Sequence, residues 1–200
     1  MGIEPTSIKP DGSDIHTLPA IWDPLTKTGL SGSYHIAKYL DETYPETPRV
    51  LFEGIEVYDQ IINGSPRVLE SPITLFVYPY VPRLLNPVSQ EYYRRTREEW
   101  VGKKWEDILP TGKAKEELWK AVKEGFDAID LFLKENEQPS AGNGQLSYVD
   151  IAFGAKFYAL RLIWGEENEF WQDMSTWSDG RWLKYAERIE KYIKPLEGDS

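Results

Sequence analysis

Apolar positions change from alternating to helical spacing within the first 45 residues of the chain. Residues 15–22 alternate and contain β-branched and aromatic side chains, a pattern that predicts a strand. Pro19 interrupts this strand, since proline lacks the N–H that a central strand needs. After a turn, residues 33–43 carry apolar side chains at helical spacing and predict a helix that Ser33 caps and that ends before Pro45.

Proline and glycine divide the rest of the chain into segments. Residues 1–14 are rich in turn-forming types and predict a loop, and residues 44–54 predict a linker between domains. After this linker, nearly every segment has apolar positions at helical spacing. The predicted helical segments cover residues 55–62, 67–84, 88–107, 112–137, 167–174 and 179–193, in addition to one that opens after Ser147.

The helix after Ser147 has the clearest start signal in the second half of the chain. Ser147 and Asp150 have the spacing of a capping box, in which two backbone N–H groups at a helix start are satisfied reciprocally. Ala152, Gly154 and Ala155 follow within the apolar run. Because such small side chains let helices approach closely, we expect this helix to be central and buried.

Composition narrows the classes of function. The 200 residues carry a net charge of −10, which disfavours nucleic acid and anionic membrane surfaces, because both select clustered Lys and Arg. The chain has no cysteine and two histidines, so it offers no disulfide, thiolate or multi-histidine metal site. Aromatic residues make up 14% of the chain, and they serve either an ordinary core or an aromatic groove.

Three motifs together resemble the glutathione transferase superfamily. Leu18-Pro19 stands where the family has a cis-proline, Ser33 where it has a helix-opening serine, and Ser147 to Asp150 where it has a capping box in a buried helix. The resemblance covers essentially the whole chain. It implies a mostly α fold, with a partial thioredoxin-like α/β unit over residues 1–46 and an all-helical C-terminal domain over residues 55–195.

A narrower likeness points to the fungal etherase-related glutathione transferases. It depends on short motifs spread along the chain. They are Lys9-Pro10-Asp11-Gly12-Ser13, Asn86-Pro87, Tyr93-Arg94-Arg95-Thr96-Arg97-Glu98, Gly102-Lys103-Lys104, Trp164-Gly165-Glu166 and Gly180-Arg181-Trp182.

The resemblance implies a glutathione site where the interrupted strand meets the start of the next helix. Backbone groups of Leu18, beside a cis Pro19, would pair with the cysteinyl part of glutathione, and Ser33 would bind the γ-glutamyl carboxylate. The family usually has an acid directly before the serine, but here that residue is Gly32. Without the resemblance, Leu18-Pro19 is only an edge-strand turn and Ser33 only a helix cap.

The resemblance also implies a pocket for a hydrophobic second substrate in the helical domain. Aromatic walls suit an aryl or aryl-ether compound, although core packing is the alternative for each side chain. Arg94, Arg95 and Arg97 could reach an anionic group or could form a solvated, ion-paired helix face. The aromatic candidates are Tyr78, Tyr80, Trp100, Trp105 and Trp164.

The implied activity is glutathione conjugation, or glutathione-dependent ether cleavage, of a hydrophobic aromatic electrophile. We assign no catalytic residue, because the family's thiol-activating residue lies on an earlier strand-loop that residues 1–14 do not resemble. The alternative is a non-catalytic protein of the same fold that binds or dimerises. In either case the resemblance implies a cytoplasmic homodimer that needs no metal.

Overall fold

The computed structural model describes residues 3–8, 12–55, 71–136 and 145–193. These residues form two compact units. The first unit runs to residue 55 and also includes residues 145–148, and the second consists of residues 71–136 and 149–193. The predicted helix over 55–62 lies almost wholly outside the described residues. The domain boundaries at 1–46 and 55–195 stay a prediction.

The described part of the first unit contains two small antiparallel ladders and the helix that follows them. Ala20 pairs with Ser31 at the open end of the second ladder, and Asp23 pairs with Thr28 at its turn. The elements are β1 (Ser7–Ile8), β2 (Asp14–Ile15), β3 (Ala20–Asp23), β4 (Thr28–Ser31) and α1 (Ser33–Thr43). The helix predicted over 33–43 is therefore confirmed at both ends.

One strand prediction and one loop prediction in this unit are corrected by the structure. The strand predicted over 15–22 is split, because β2 ends at Ile15 and β3 begins at Ala20, directly after Pro19. The loop predicted over 1–14 contains β1 and the first residue of β2. Alternation indicates a strand, but ladder pairing decides which residues belong to it, and that pairing depends on residues distant in sequence.

All regular secondary structure in the described residues of the second unit is helical. Its α-helices are α2 (Ser71–Val77), α3 (Pro87–Val101), α4 (Gly112–Glu135), α5 (Tyr148–Trp164), α6 (Glu169–Met174) and α7 (Trp177–Glu190). The first residue of α5 belongs to the first unit, and the rest of this helix belongs to the second. Two 3₁₀ turns cover Tyr78–Leu84 and Trp105–Asp107. The helix predicted over 88–107 is shorter than expected. It ends at Val101 because Gly102 has a left-handed φ of 70°.

The helix predicted after Ser147 does begin at Tyr148. Its Gly154 is packed so closely that an added Cβ would lie 2.8 Å from the Cβ of Ile189 and 3.0 Å from the Tyr185 carbonyl oxygen on α7. The predicted close approach of a neighbouring helix is thus confirmed. Within the described residues, no helix has the length and apolarity required to cross a membrane.

Aromatic rings fill the core of the second unit. Trp182 on α7 is fully buried and stacks on Phe157, with ring centroids 5.0 Å apart. A second cluster surrounds Trp119 on α4, whose ring lies 5.9 Å from Trp164 and 5.1 Å from Trp177. These aromatic residues therefore serve burial of apolar surface in this unit.

Buried acids of the second unit pair with arginines of α7. Asp150 in the first turn of α5 accepts a hydrogen bond from Arg188 at 2.6 Å. Asp130 on α4 accepts from Arg181 and Lys134. Burial raises the pKa of the Asp130 carboxyl, but the hydrogen bonds from Lys134 and Arg181 outweigh it, so the pKa lies below its ordinary value. These pairs tie α7 to α4 and α5.

Candidate functional site

The open end of the β3–β4 hairpin meets the start of α1. The Leu18–Pro19 peptide bond is cis, and the Pro19 carbonyl accepts a hydrogen bond from the Gly32 N–H at 3.1 Å. The Leu18 side chain is 88% exposed. Within the described part of the chain, Leu18 makes no hydrogen bond to another backbone group. The structure therefore brings together the four residues implied as glutathione ligands: Leu18, Pro19, Gly32 and Ser33.

Gly32, and not Ser33, is the N-cap of α1, which corrects the sequence-based expectation. Its φ of 88° and ψ of 123° are open to glycine and rarely adopted by any other residue. A Cβ at this position would also lie 3.3 Å from Nδ1 of His35. Any residue with a side chain, including the acid that the family usually has before the serine, would be strained in this backbone conformation.

The start of α1 has the electrostatics of an anion site. Its first turn contains no acidic side chain, and Gly32 supplies no side-chain cap to the backbone N–H groups there. The positive end of the helix dipole is therefore not neutralised within the first turn, which favours a carboxylate nearby. Ser33, as the first helical residue, places its hydroxyl at this end of the helix.

Tyr148 is the residue of this site that sequence reasoning missed. Its hydroxyl lies 3.0 Å from the Ser33 hydroxyl, at hydrogen-bond distance. Its ring meets the Tyr34 ring edge to face, with centroids 5.7 Å apart. In the sequence Tyr148 was only an intervening position of the capping box, and no local pattern indicated a contact with a residue 115 positions earlier.

The segment around Val50 holds Tyr148 in place. The Val50 carbonyl accepts from the Tyr148 backbone N–H at 2.8 Å. The buried Asp41 carboxylate, on α1, accepts from the N–H groups of Val50 and Leu51, with a shortest distance of 2.8 Å to Leu51. Hydrogen bonds thus run from α1 through residue 50 to Tyr148 and back to Ser33 at the start of the same helix.

Asp23 anchors the other end of the hairpin. Its carboxylate accepts hydrogen bonds from the hydroxyls of Tyr39 and Tyr44 and from the N–H of Leu25. The bonds from Tyr39 and Tyr44 hold the pKa of Asp23 well below its usual range, and the bond to Asp23 raises the pKa of Tyr44 to about 12. Because Tyr39 belongs to α1, this cluster fixes the hairpin against the helix that carries Ser33.

The candidate residues for the hydrophobic pocket separate into two groups. Tyr78 and Trp105 lie edge to face with Tyr93, with centroids 6.2 and 6.3 Å away, and Trp100 is 68% exposed. Tyr80 instead meets Phe170. Trp164 is 2% exposed and donates its indole N–H to the Phe76 carbonyl, so it is a core residue in this structure.

Arg97 organises the first of these groups. Its guanidinium lies 4.1 Å from the Tyr93 ring centroid and 4.2 Å from that of Trp100. Burial raises the pKa of the Tyr93 hydroxyl, an effect that Arg97 opposes. Arg94 lies over Trp105 at 5.3 Å. Arg95 is ion-paired with Glu99 at 3.1 Å and also lies over the Tyr92 ring at 5.6 Å. The interpretation of a solvated, ion-paired face therefore fits Arg95, although all three arginines lie over aromatic rings.

An apolar cavity of about 230 Å³ lies elsewhere in the second unit. Phe126, Phe153 and Phe157 line it, and none of the predicted pocket residues does. Within the described residues, no three acidic or histidine side chains come close enough together to hold a metal ion.

Comparisons with known proteins identify the family of this fold. Residues 61–192 match the family described as glutathione S-transferase, C-terminal domain. The structure is similar to that of the glutathione S-transferase CsGST63524 of Ceriporiopsis subvermispora, solved in complex with glutathione, with 35% identity and a TM-score of 0.84 over 98% of this chain and 79% of that one.

Two further solved structures give the same result. The glutathione S-transferase CsGST83044 of the same organism, also in complex with glutathione, is 32% identical with a TM-score of 0.80 over 95% of this chain and 78% of that one. The glutathione transferase GSTFuA3 of Phanerochaete chrysosporium is 35% identical, with a TM-score of 0.80 over 98% of this chain and 78% of that one. No curated protein sequence matches the chain. The family match and these structures show that the chain belongs to the glutathione S-transferase superfamily.

Proposed function

We propose that this chain binds glutathione at the open end of the β3–β4 hairpin and the start of α1. The observation that carries the proposal is the direct hydrogen bond from Gly32 to Pro19, which places the exposed Leu18 backbone beside the uncapped start of the helix. The two Ceriporiopsis subvermispora structures, which contain glutathione, support it.

Each group in the proposed site has a separate role. The N–H and carbonyl of Leu18 pair with the cysteinyl backbone of glutathione, as adjacent strands pair in a sheet. Ser33 binds the γ-glutamyl carboxylate through its hydroxyl and the helix end. Gly32 contributes no carboxylate, so the α-amino group of glutathione lacks the acidic partner that the family usually provides.

The proposed reaction joins the glutathione sulfur to a hydrophobic aromatic substrate. The thiolate attacks an electrophilic carbon, a carbon–sulfur bond forms, and the bond from that carbon to its leaving group or ether oxygen breaks. The leaving group departs with the electron pair of that bond. Tyr78, Trp100 and Trp105 supply aromatic surface suited to such a substrate, and Tyr80 is a further candidate.

The resemblance of the short motifs to fungal etherase-related enzymes favours an aryl ether as the substrate. The same resemblance supports the further proposals of a homodimer and of a cytoplasmic location. A second candidate function is a non-catalytic binding or dimerisation protein of this fold. It is favoured by Gly32, whose backbone conformation does not suit the acid that would hold the glutathione α-amino group.

Calorimetric titration of the chain with reduced glutathione tests the proposal. We expect binding in the micromolar to millimolar range, and Ser33→Ala should weaken it roughly tenfold or more, because a hydrogen bond to a charged group contributes about 1.5–3 kcal/mol. The control Ser175→Ala removes a hydroxyl from the second unit and should leave the affinity unchanged. Absence of binding, or equal affinity of Ser33→Ala and the wild type, would overturn the proposal.

Two turnover assays separate the candidate functions. An activated aryl halide reports conjugation, and an aryl ether that releases a fluorescent phenol reports ether cleavage. Turnover of the ether would support the etherase-related assignment. Glutathione binding without turnover of either compound would favour the non-catalytic alternative.

A further inference from the structure

Tyr148 is almost fully buried and contacts Ser33, one of the residues proposed to bind glutathione. The residue is 3% exposed, and its hydroxyl lies 3.0 Å from that of Ser33. Ser33 is half-buried, so the bond is part-buried, and such a bond is stronger than the same bond in open water. The contact therefore restricts the rotation of the Ser33 hydroxyl, which would otherwise turn freely.

Binding of a carboxylate fixes the direction of this hydrogen bond. A serine hydroxyl has a single proton, so Ser33 can donate to a carboxylate only if it accepts from Tyr148. A phenol is more acidic than an alcohol and is the better donor, so Tyr148 donating to Ser33 is the favoured direction. Chains of hydrogen bonds polarise one another, and a donating Tyr148 strengthens the bond that Ser33 gives to the ligand.

The position of Tyr148 is itself fixed from two sides. The Val50 carbonyl accepts from its backbone N–H at 2.8 Å, and the Tyr34 ring packs against its ring with a centroid separation of 5.7 Å. Val50 is in turn held by Asp41 on α1. The phenol is thus pre-oriented toward Ser33 before any ligand arrives, and pre-orientation reduces the entropy lost on binding.

We infer that Tyr148 is a positioning residue of the glutathione site. It donates to Ser33 and directs the serine hydroxyl at the γ-glutamyl carboxylate. The inference rests on the proposed function, since it specifies how that same site recognises one end of glutathione. It also gives a binding role to a residue otherwise explained only as the first residue of α5.

A double-mutant cycle on glutathione affinity tests this role. Tyr148→Phe retains the ring and its packing on Tyr34 and removes only the hydroxyl. We expect it to weaken glutathione binding about three- to tenfold, the effect of one hydrogen bond. In the Ser33→Ala background the same change should alter affinity less than about twofold, because the group it orients is already gone. Tyr192→Phe, which removes an exposed hydroxyl, is the matched control and should bind like the wild type.

The outcomes separate this inference from the proposed function. If the wild type does not bind glutathione, both are overturned. If the wild type binds but Tyr148→Phe binds equally well, or loses the same factor in both backgrounds, only the positioning role of Tyr148 is overturned. Thermal unfolding of each variant completes the test, since an affinity lost by Tyr148→Phe counts for the positioning role only if the variant unfolds near the wild-type temperature.

Discussion

Replacing Gly154 by alanine should destabilise the second unit, although the same change in an ordinary helix is stabilising. Gly154 lies inside α5, where it faces Ile189 and the backbone of Tyr185 on α7. A glycine-to-alanine change within a helix ordinarily gains about 1 kcal/mol from helix propensity. The prediction depends on whether the new methyl group has room.

The structure leaves no room for a methyl group at position 154. The alanine Cβ would lie 2.8 Å from the Ile189 Cβ and 3.0 Å from the Tyr185 carbonyl oxygen. Carbon atoms pack favourably at about 3.5–4.0 Å, so the two helices would have to separate locally by roughly 1 Å. Neither contact is the far end of a flexible side chain. Overpacking costs about 1–3 kcal/mol in general. Because both contacts are with rigid atoms, we expect the upper part of this range, about 2–3 kcal/mol, which leaves a net loss of about 1–2 kcal/mol after the propensity gain.

Thermal unfolding followed by circular dichroism measures this loss. A destabilisation of about 1–2 kcal/mol should lower the melting temperature by roughly 2–8 °C for a protein of this size. Ala155→Gly, at the adjacent exposed position, measures the propensity term alone and should destabilise by about 1 kcal/mol. If Gly154→Ala melts at or above the wild-type temperature, the close approach of α5 and α7 would be refuted.

Three further predictions concern the first unit. Gly32→Ala should lower the free energy of unfolding in urea by about 1–3 kcal/mol, because φ is 88° there, and should weaken glutathione binding. Asp41→Ala should lower the free energy of unfolding by about 1–3 kcal/mol, since two part-buried backbone N–H groups lose their acceptor. The folded-state pKa of Asp23 is depressed by Tyr39 and Tyr44, so its contribution is present above the unfolded value of about 3.9 and is lost as pH falls. The difference in melting temperature between Asp23→Asn and the wild type should therefore be constant above about pH 5 and shrink as the pH falls from about 4 to 2.5. A difference that stays constant down to about pH 2.5 would contradict this assignment.

Local patterns predicted a helix well where apolar side chains recur at helical spacing over several turns. The helix predicted over 112–137 extends over Gly112–Glu135, and that over 33–43 matches at both ends. Proline and glycine positions also gave correct information, since α3 begins at Pro87 and ends before Gly102. These signals act within one or two turns of a helix, which is why a sequence window contains them.

Sequence motifs indicated the candidate glutathione-binding residues, but not the residues that hold them in position. Leu18, Pro19 and Ser33 came from motifs, and the structure places them together at one end of the hairpin. Tyr148 could not be predicted, because its contact with Ser33 joins residues far apart in the sequence and depends on the path of the chain between them. Trp164 was predicted to line the substrate pocket but is buried in the core. Residue type alone does not distinguish a core ring from a ring in a pocket wall.

The distribution of indole rings gives the two units separate optical signatures. All eight tryptophans except Trp22 belong to the second unit, where Trp119 lies close to Trp164 and Trp177. Neighbouring indoles at these separations couple their electronic transitions, which produces paired bands of opposite sign in circular dichroism. The coupled bands therefore report the packing of the second unit alone. The fluorescence of Trp22, isolated by difference from a Trp22→Phe chain, reports the hairpin that carries the proposed ligand site.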